Sequence, residues 1–309
     1  MVLRILQKER PGWLIGVALF VLLLSACGGS PGASGSPPGS STSKTLNVVA
    51  AENFYGDIVK QLGGDHVSVT SILSNPNIDP HEYQSSTQNA LAVSKADLVI
   101  ENGGGYDSWM DKLLSAAPNS TRVVLKGFDI APTKLPDNEH IWYSIEDMST
   151  IAQSITTELK KLDPANAAAF DANLRTFKIA LQPVQQKISE IKAKYAGTPV
   201  GLTETIFLYQ TEPLGLKVLT PPDFMKAVAE ENDPPANTVI TAENQINQKQ
   251  IKVLIYNEQN ASPITQRLQK DAQAKGIPVV PVTETMPAGK TYQSWMLDQL
   301  SALQRALGG

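Results

Sequence analysis

The pattern of apolar and polar positions alternates between short β-branched runs and longer stretches with helical periodicity. Strands that alternate with helices in this way indicate a parallel sheet covered by helices. The predicted strands are Thr45–Ala51, Val67–Leu73, Asp97–Glu101, Arg122–Lys126, Pro199–Thr203, Lys252–Tyr256 and Pro278–Thr283. The predicted helices are Asn53–Leu62, Thr87–Ala96, Tyr106–Ala116, Ile145–Leu162, Pro222–Glu231, Pro263–Lys275 and Thr291–Leu307.

One long helical stretch, Pro164–Tyr195, separates the two alternating halves. Its apolar positions recur at three- and four-residue steps, which predicts an amphipathic helix of about nine turns. Pro183 lies inside it and should kink the helix or remove one of its hydrogen bonds. We therefore predict an α/β fold of two lobes, each a mainly parallel sheet wrapped by helices, joined by one long spine helix.

The first 26 residues have the features of a secretory signal. Basic residues are followed by the uncharged apolar run Leu14–Leu24, which is too short for the ~20 residues of a membrane-spanning helix. The run ends in Leu-Ser-Ala-Cys, and small residues before Cys27 resemble the bacterial lipobox, in which the cysteine carries lipid. The alternative is an ordinary cleaved signal peptide that happens to contain a cysteine. Since Cys27 is the only cysteine of the chain, we expect a lipoprotein signal peptide over 1–26 and lipidation of Cys27.

The segment after Cys27 predicts a flexible tether. Residues 28–44 are nearly all Gly, Ser, Pro, Ala or Thr, a composition that buries no apolar surface. As a flexible coil, such a segment spans roughly 20–25 Å. We expect a tether over 27–44, an N-terminal lobe over 45–163, the spine over 164–197 and a C-terminal lobe over 198–309.

Composition limits the chemistry that the globular part can perform. The formal net charge is −4 at pH 7, and no basic stripe of the kind that contacts nucleic acid is present in the sequence. Lipidation of the one cysteine leaves no thiol for a disulfide, a metal ligand or a nucleophile. Any transition metal must then be held by histidine, carboxylate or backbone groups.

The three histidines can be weighed one by one. His81 lies in the polar loop Asp-Pro-His-Glu-Tyr after a predicted strand, at the edge of the sheet where α/β proteins bind ligands, and Asp79 could orient its imidazole. His140 lies in the loop before a helix and is equally compatible with a packed loop histidine. His66 lies in a Gly-Gly-Asp-His turn and is predicted to be an exposed turn residue.

Two carboxylates of the second half occupy matching positions. Glu204 follows the strand sequence Pro-Val-Gly-Leu-Thr, and Glu284 follows Pro-Val-Val-Pro-Val-Thr. Both therefore fall at the carboxyl edge of a strand, the same edge that presents His81 in the first half. Singly, each is more often a solvated loop charge, but the pair facing two histidines favours a shared site.

These elements together carry a family resemblance over about residues 46–307. The motifs are AAENFYGDIVKQLGG, NPNIDPHEYQSSTQNALAVSKADLVIENG, NEHIW, LTETIFLYQTEPLGLKVL, KVLIYNEQ and PVTETMPAGKTYQSWMLDQL. In this order they resemble the metal-binding, TroA-like cluster of ABC-transporter substrate-binding lipoproteins, which carry zinc, manganese or iron. The Asp-Pro-His-x-Tyr element is the most specific of them.

The resemblance implies one metal ion held between the lobes by four side chains, which match His81, His140, Glu204 and Glu284. The third position is histidine in typical zinc carriers and glutamate in manganese-type carriers, and here it is Glu204. The fourth is usually aspartate, so that the longer Glu284 is a departure that affects geometry and metal preference. The histidine-rich loop of many zinc carriers is also missing from the sequence of residues 127–139.

The function implied is that of an extracytoplasmic solute-binding protein rather than an enzyme. It would be a monomer, held by lipid on the outer face of the plasma membrane or in the periplasm, that delivers a divalent metal to an ABC permease and its cytoplasmic ATPase. Two imidazoles and two carboxylates favour Mn²⁺, with Zn²⁺ close behind and Fe²⁺ as a further option. The alternatives are a secreted metal-dependent hydrolase and a binding protein for a small organic solute.

Replacement of Cys27 tests the predicted anchor. We expect Cys27→Ala to appear in the soluble extracytoplasmic fraction or to persist as the uncleaved precursor, because the acceptor of the lipid is lost. Cell fractionation and immunoblotting would measure this. Processing and membrane retention identical to wild type would refute the lipoprotein prediction.

Overall fold

The computed structural model describes residues 44–75, 83, 84 and 86–308, so that the predicted signal peptide, Cys27 and most of the tether lie outside the described part. The first half contains a parallel sheet with strand order β2-β1-β3-β4. Its strands are β1 (Leu46–Glu52), β2 (Val67–Leu73), β3 (Leu98–Glu101) and β4 (Val123–Lys126). Its helices are α1 (Asn53–Gly63), α2 (Thr87–Ser94), α3 (Ser108–Ala116), α4 (Gly127–Ile130) and α5 (Ile145–Leu162).

The predicted spine consists of two consecutive helices. After a 3₁₀ turn at Pro164–Asn166, α6 spans Ala167–Ala180 and α7 spans Gln182–Tyr195, with an interruption at Leu181. Proline has no backbone N–H and its ring clashes with the preceding turn, whereas both features are tolerated in the first turn of a helix. The chain accordingly starts a new helix one residue before Pro183.

The second half repeats the parallel arrangement, with strand order β6-β5-β7-β8. Its strands are β5 (Pro199–Leu202), β6 (Lys217–Val218), β7 (Leu254–Asn257) and β8 (Val279–Val282). Its helices are α8 (Leu208–Leu214), α9 (Pro222–Ala229), α10 (Ala236–Asn247), α11 (Pro263–Ala274) and α12 (Tyr292–Ala306). The predicted class, two parallel sheets wrapped by helices, is confirmed; α4, α8, α10 and the two-residue β6 were not predicted.

The apolar pattern explains why these sheets form. Every residue of β3 is buried, as are all residues of β1 except Asn47. Continuous apolar runs are typical of parallel strands that are covered on both faces. Among the described residues, no helix is long and apolar enough to cross a membrane.

One apolar cluster extends across both halves and the spine. Phe54 of α1 stacks on Trp142 and on Trp295 of α12, with ring centroids 5.0 and 6.0 Å apart. Phe177 of α6 and Val184 of α7 belong to the same cluster. Because the halves share a packed core, the loops at the carboxyl ends of their strands are held in a fixed relation.

One buried phenylalanine and one exposed isoleucine on α6 test the role of the spine in this core. Phe177 is 1% exposed and Ile179 is 61% exposed. We expect Phe177→Ala to lower the free energy of unfolding by about 3–5 kcal/mol, because it leaves a cavity in a packed core. Ile179→Ala should change it by less than about 0.5 kcal/mol. Urea denaturation measures both, and equal effects would show that α6 does not pack as described.

Candidate metal centre

Three of the four predicted ligands meet in one buried cluster. His140, Glu204 and Glu284 are 0%, 2% and 1% exposed, and each offers a ligand atom within 4.8 Å of those of the other two. His140 comes from the first half and the two glutamates come from the second. His81 and Asp79 lie outside the described residues, so that their assignment stays a prediction.

The imidazole of His140 is held in one orientation and one tautomer. The Asn138 amide is fixed because its Nδ2 donates to the Thr205 carbonyl oxygen (2.9 Å) while its Oδ1 accepts from the His140 backbone N–H (3.0 Å). Nδ1 of His140 lies 2.9 Å from the same Oδ1, so that a neutral ring must donate from Nδ1. The lone pair is then on Nε2, the atom suited to bind a metal.

Glu204 is a buried carboxylate with little local compensation. It follows β5, and within the described part of the chain neither of its oxygens makes a hydrogen bond of ordinary geometry and no Lys or Arg pairs with it. Burial raises the pKa of Glu204 well above its usual value, and the negative charge of Glu284 raises this pKa further. The Asn257 amide and the backbone of Ile206 lower this pKa only in part.

Glu284 is held by a donor on each carboxylate oxygen. Tyr106 Oη donates to Oε2 (2.9 Å) and Asn257 Nδ2 donates to Oε1 (2.6 Å). Asn257 ends β7, the strand between β5 and β8, and so lies between the two glutamates. The Gln259 side chain accepts from the Glu284 backbone N–H (2.7 Å).

The loops that carry the two glutamates are both hydrogen-bonded to the first half. Beside Glu284, Asn53 of α1 exchanges two hydrogen bonds with the Met286 backbone (2.7 and 3.0 Å). Tyr143 Oη donates to the Thr283 carbonyl oxygen (2.7 Å). With the bond from Asn138 to the loop of Glu204, these contacts assemble the cluster from both halves.

Sequence reasoning missed the amides and the tyrosine around this cluster. The sequence did carry a signal for Asn257, because it is the last residue of a strand, close to the carboxyl-edge positions of Glu204 and Glu284. Tyr106 gave no such signal. His66, predicted to be an exposed turn residue, lies half-buried in the 3₁₀ turn Gly64–His66, edge-on to Phe170 at 5.7 Å, and is not part of the cluster.

Comparison with protein families and curated proteins gives a consistent picture. The family described as "Zinc-uptake complex component A periplasmic" matches residues 48–306. The "Metal ABC transporter substrate-binding lipoprotein ScbA" of Streptococcus cristatus is 31% identical over 193 residues, which cover 58% of this chain and 61% of that protein. The "Manganese ABC transporter substrate-binding lipoprotein scaA" of Streptococcus gordonii is 30% identical over 194 residues, which cover 59% and 61%. The chain thus spans about three fifths of the length of these curated relatives.

The solved structures share the fold. The "periplasmic zinc binding protein TroA from Treponema pallidum" superposes with a TM-score of 0.70 at 19% identity. The match covers 86% of this chain and 100% of that one. At this identity the likeness concerns the fold alone.

The charge of Glu204 should appear in the pH dependence of stability. Because its pKa is raised on folding, the unfolded chain loses this proton first as pH rises above the ordinary value of 4.5. The folded state then binds more protons than the unfolded one, and stability falls with rising pH. We expect the metal-free protein to lose stability more steeply than Glu204→Gln does as pH rises above 4.5. Urea denaturation in the presence of a chelator measures this, and parallel pH profiles would contradict it.

Proposed function

Because the chain belongs to the family of periplasmic component A proteins of zinc-uptake complexes, we propose that it is the extracytoplasmic substrate-binding component of an ABC importer for a divalent transition metal. Its substrate would be the metal ion itself. The chain would capture the ion between its two halves and deliver it to a membrane permease.

The buried pairing of two carboxylates carries this proposal. Glu204 and Glu284 are almost fully buried beside the imidazole of His140. Like charges in a desolvated site are unfavourable unless a cation lies between them. A divalent metal supplies that charge, and neutral imidazole with carboxylate oxygen is a donor set that transition metals accept.

We assign the ligands as Nε2 of His140, the carboxylates of Glu204 and Glu284, and the imidazole of His81. The family resemblance supports His81, as does its position in the Asp-Pro-His-Glu-Tyr sequence, eight residues beyond the end of β2. Asp79 would orient the His81 imidazole. The first half would then supply two histidine loops, and the second half two glutamate loops, to a single ion.

Among metals, the ligand set favours Mn²⁺, followed by Zn²⁺ and then Fe²⁺. Carboxylate oxygen is a harder donor than imidazole, so that two glutamates suit Mn²⁺ and Fe²⁺ better than a three-histidine site does. The name of the manganese-transporting relative agrees with this preference, whereas the family description names zinc. Zn²⁺ should still bind tightly, because divalent ions of this series follow the Irving–Williams order.

The cellular setting follows from the sequence and the relatives. We propose that lipid on Cys27 anchors the chain to the outer face of the membrane, with residues 28–44 as the tether. The curated relatives are named as lipoproteins of ABC transporters. A monomer of this kind would meet an ABC permease, whose cytoplasmic ATPase supplies the energy for transport.

The geometry supports a carrier better than a secreted hydrolase or a carrier of an organic solute. Catalytic zinc sites keep one position open for water and substrate. Here the three described ligands are at most 2% exposed, and donors from both halves would close the site around a single ion. Ligand atoms that all lie within 4.8 Å of one another suit a single ion better than an ester or a sugar.

Metal content and affinity test the proposal directly. We expect protein purified without chelator to contain one equivalent of a divalent transition metal by elemental analysis. His140→Ala, Glu204→Ala and Glu284→Ala should each lower affinity for Mn²⁺ by at least about 100-fold, above the 10–100-fold that outer-shell changes cost.

His66→Ala is the matched control, because it removes a histidine that lies outside the cluster. It should leave metal affinity unchanged. Equal loss in this variant, or affinity that persists in all three ligand variants, would contradict the assignment.

A further inference from the structure

We propose that Tyr106 is a positioning residue of the metal site, whose hydroxyl, presented by the first half, holds the Glu284 carboxylate of the second half ready for the ion. This inference rests on the proposed function and concerns how the site is kept in order. It follows from the contacts of Glu284, from the rigidity of the loop that carries Tyr106, and from the position of both between the halves.

Glu284 needs restraint because its carboxylate is joined to the backbone through three rotatable bonds. The two hydrogen-bond donors to the Glu284 carboxylate come from different halves of the molecule. Asn257 Nδ2, at the end of β7, moves with the sheet that carries Glu284, whereas Tyr106 belongs to the loop after β3. The hydrogen bond of Tyr106 therefore ties the carboxylate itself to a loop of the opposite half.

The loop that presents Tyr106 is rigid. The Asp107 carboxylate accepts hydrogen bonds from the backbone N–H groups of Asn102 (2.6 Å) and Gly103 (2.8 Å). The backbone N–H of Tyr106 donates to the Gly103 carbonyl oxygen (3.3 Å). The ring of Tyr106, which is 2% exposed, packs on Trp142 with centroids 4.6 Å apart.

The same loop also positions the histidine ligand of the first half. Asn102 Nδ2 donates to the carbonyl oxygen of Glu139, the residue before His140 (2.9 Å). Tyr55 Oη donates to Asn102 Oδ1 (2.9 Å) and so fixes the orientation of this amide. One loop thus contacts the Glu284 carboxylate of the second half and the residue before His140 in the first half.

The hydrogen bond from Tyr106 should slow the dissociation of the bound ion. The Tyr106 hydroxyl leaves the negative charge of the Glu284 carboxylate available to the metal. At the same time, its hydrogen bond restricts the positions that this carboxylate can take. Without it, Glu284 would explore other rotamers, and the bound ion would be lost more often. Tyr106→Phe removes only the hydroxyl and keeps the ring that packs on Trp142.

We expect Tyr106→Phe to weaken Mn²⁺ binding by about 10–100-fold, the usual effect of losing a partner of a metal ligand. The loss should lie mainly in a faster dissociation rate, measured by transfer of Mn²⁺ to a chelator. The electron paramagnetic resonance spectrum of bound Mn²⁺ should also change, since the ligand field around the ion would be less uniform. A change that merely destabilised the fold would leave this spectrum unaltered.

Tyr292→Phe is the matched control. Tyr292 is also a fully buried tyrosine of the core, and its hydroxyl donates to the Trp142 carbonyl oxygen (2.7 Å) instead of to a ligand. It should lower the free energy of unfolding as Tyr106→Phe does, while affinity, dissociation rate and spectrum stay as in wild type. Equal metal binding in Tyr106→Phe and Tyr292→Phe would overturn the inference.

Glu284→Gln separates this inference from the function on which it rests. If Glu284→Gln loses Mn²⁺ and Tyr106→Phe retains wild-type affinity and spectrum, the metal site stands and the positioning role is refuted. If Glu284→Gln binds Mn²⁺ as wild type does, Glu284 is not a ligand, and both the assignment of Glu284 and the role of Tyr106 are refuted.

Discussion

The structure depends on the burial of two carboxylates next to each other. Glu204 and Glu284 lie in a region from which water is almost entirely excluded, and their charges oppose each other. Such an arrangement costs stability in the metal-free protein, since a buried charge without a partner is among the least favourable features of a fold. A site of this kind persists only where the surrounding structure holds it and a ligand repays the cost.

The two carboxylates are supported unequally. Glu284 accepts a hydrogen bond on each oxygen, whereas among the described residues the Asn257 amide and the Ile206 backbone stabilise the Glu204 carboxylate only in part. A cation would therefore stabilise the buried negative charge of Glu204 more than that of Glu284. The Glu284 carboxylate would already be oriented when the cation binds. The result is a site in which one carboxylate is ordered in advance and the other is stabilised mainly by the ion.

The shared core explains how ligands from distant parts of the chain stay in register. Phe54 stacks on Trp142 and Trp295 between the halves, and Trp142 lies edge-on to His140 of the cluster at 5.1 Å. The spine helices α6 and α7 pack into the same core. A packed core of this kind resists large displacements, so that we expect capture and release of the ion to involve small movements at the ligand loops. An ion can drive such movements only through its different affinity for the two arrangements.

The sequence alone predicted most of the fold, and the family resemblance that it carries named three residues of the cluster. Apolar periodicity placed the strands and the longer helices within a few residues, because each buried face must repeat with its own period. The carboxyl-edge positions of Glu204 and Glu284, and the loop position of His140, followed from the same pattern. Only the tertiary structure decided that Tyr106 and Asn257 hold Glu284 and that Asn138 sets the tautomer of His140. These contacts join residues up to 178 positions apart, and local periodicity carries no information about which distant side chains will meet.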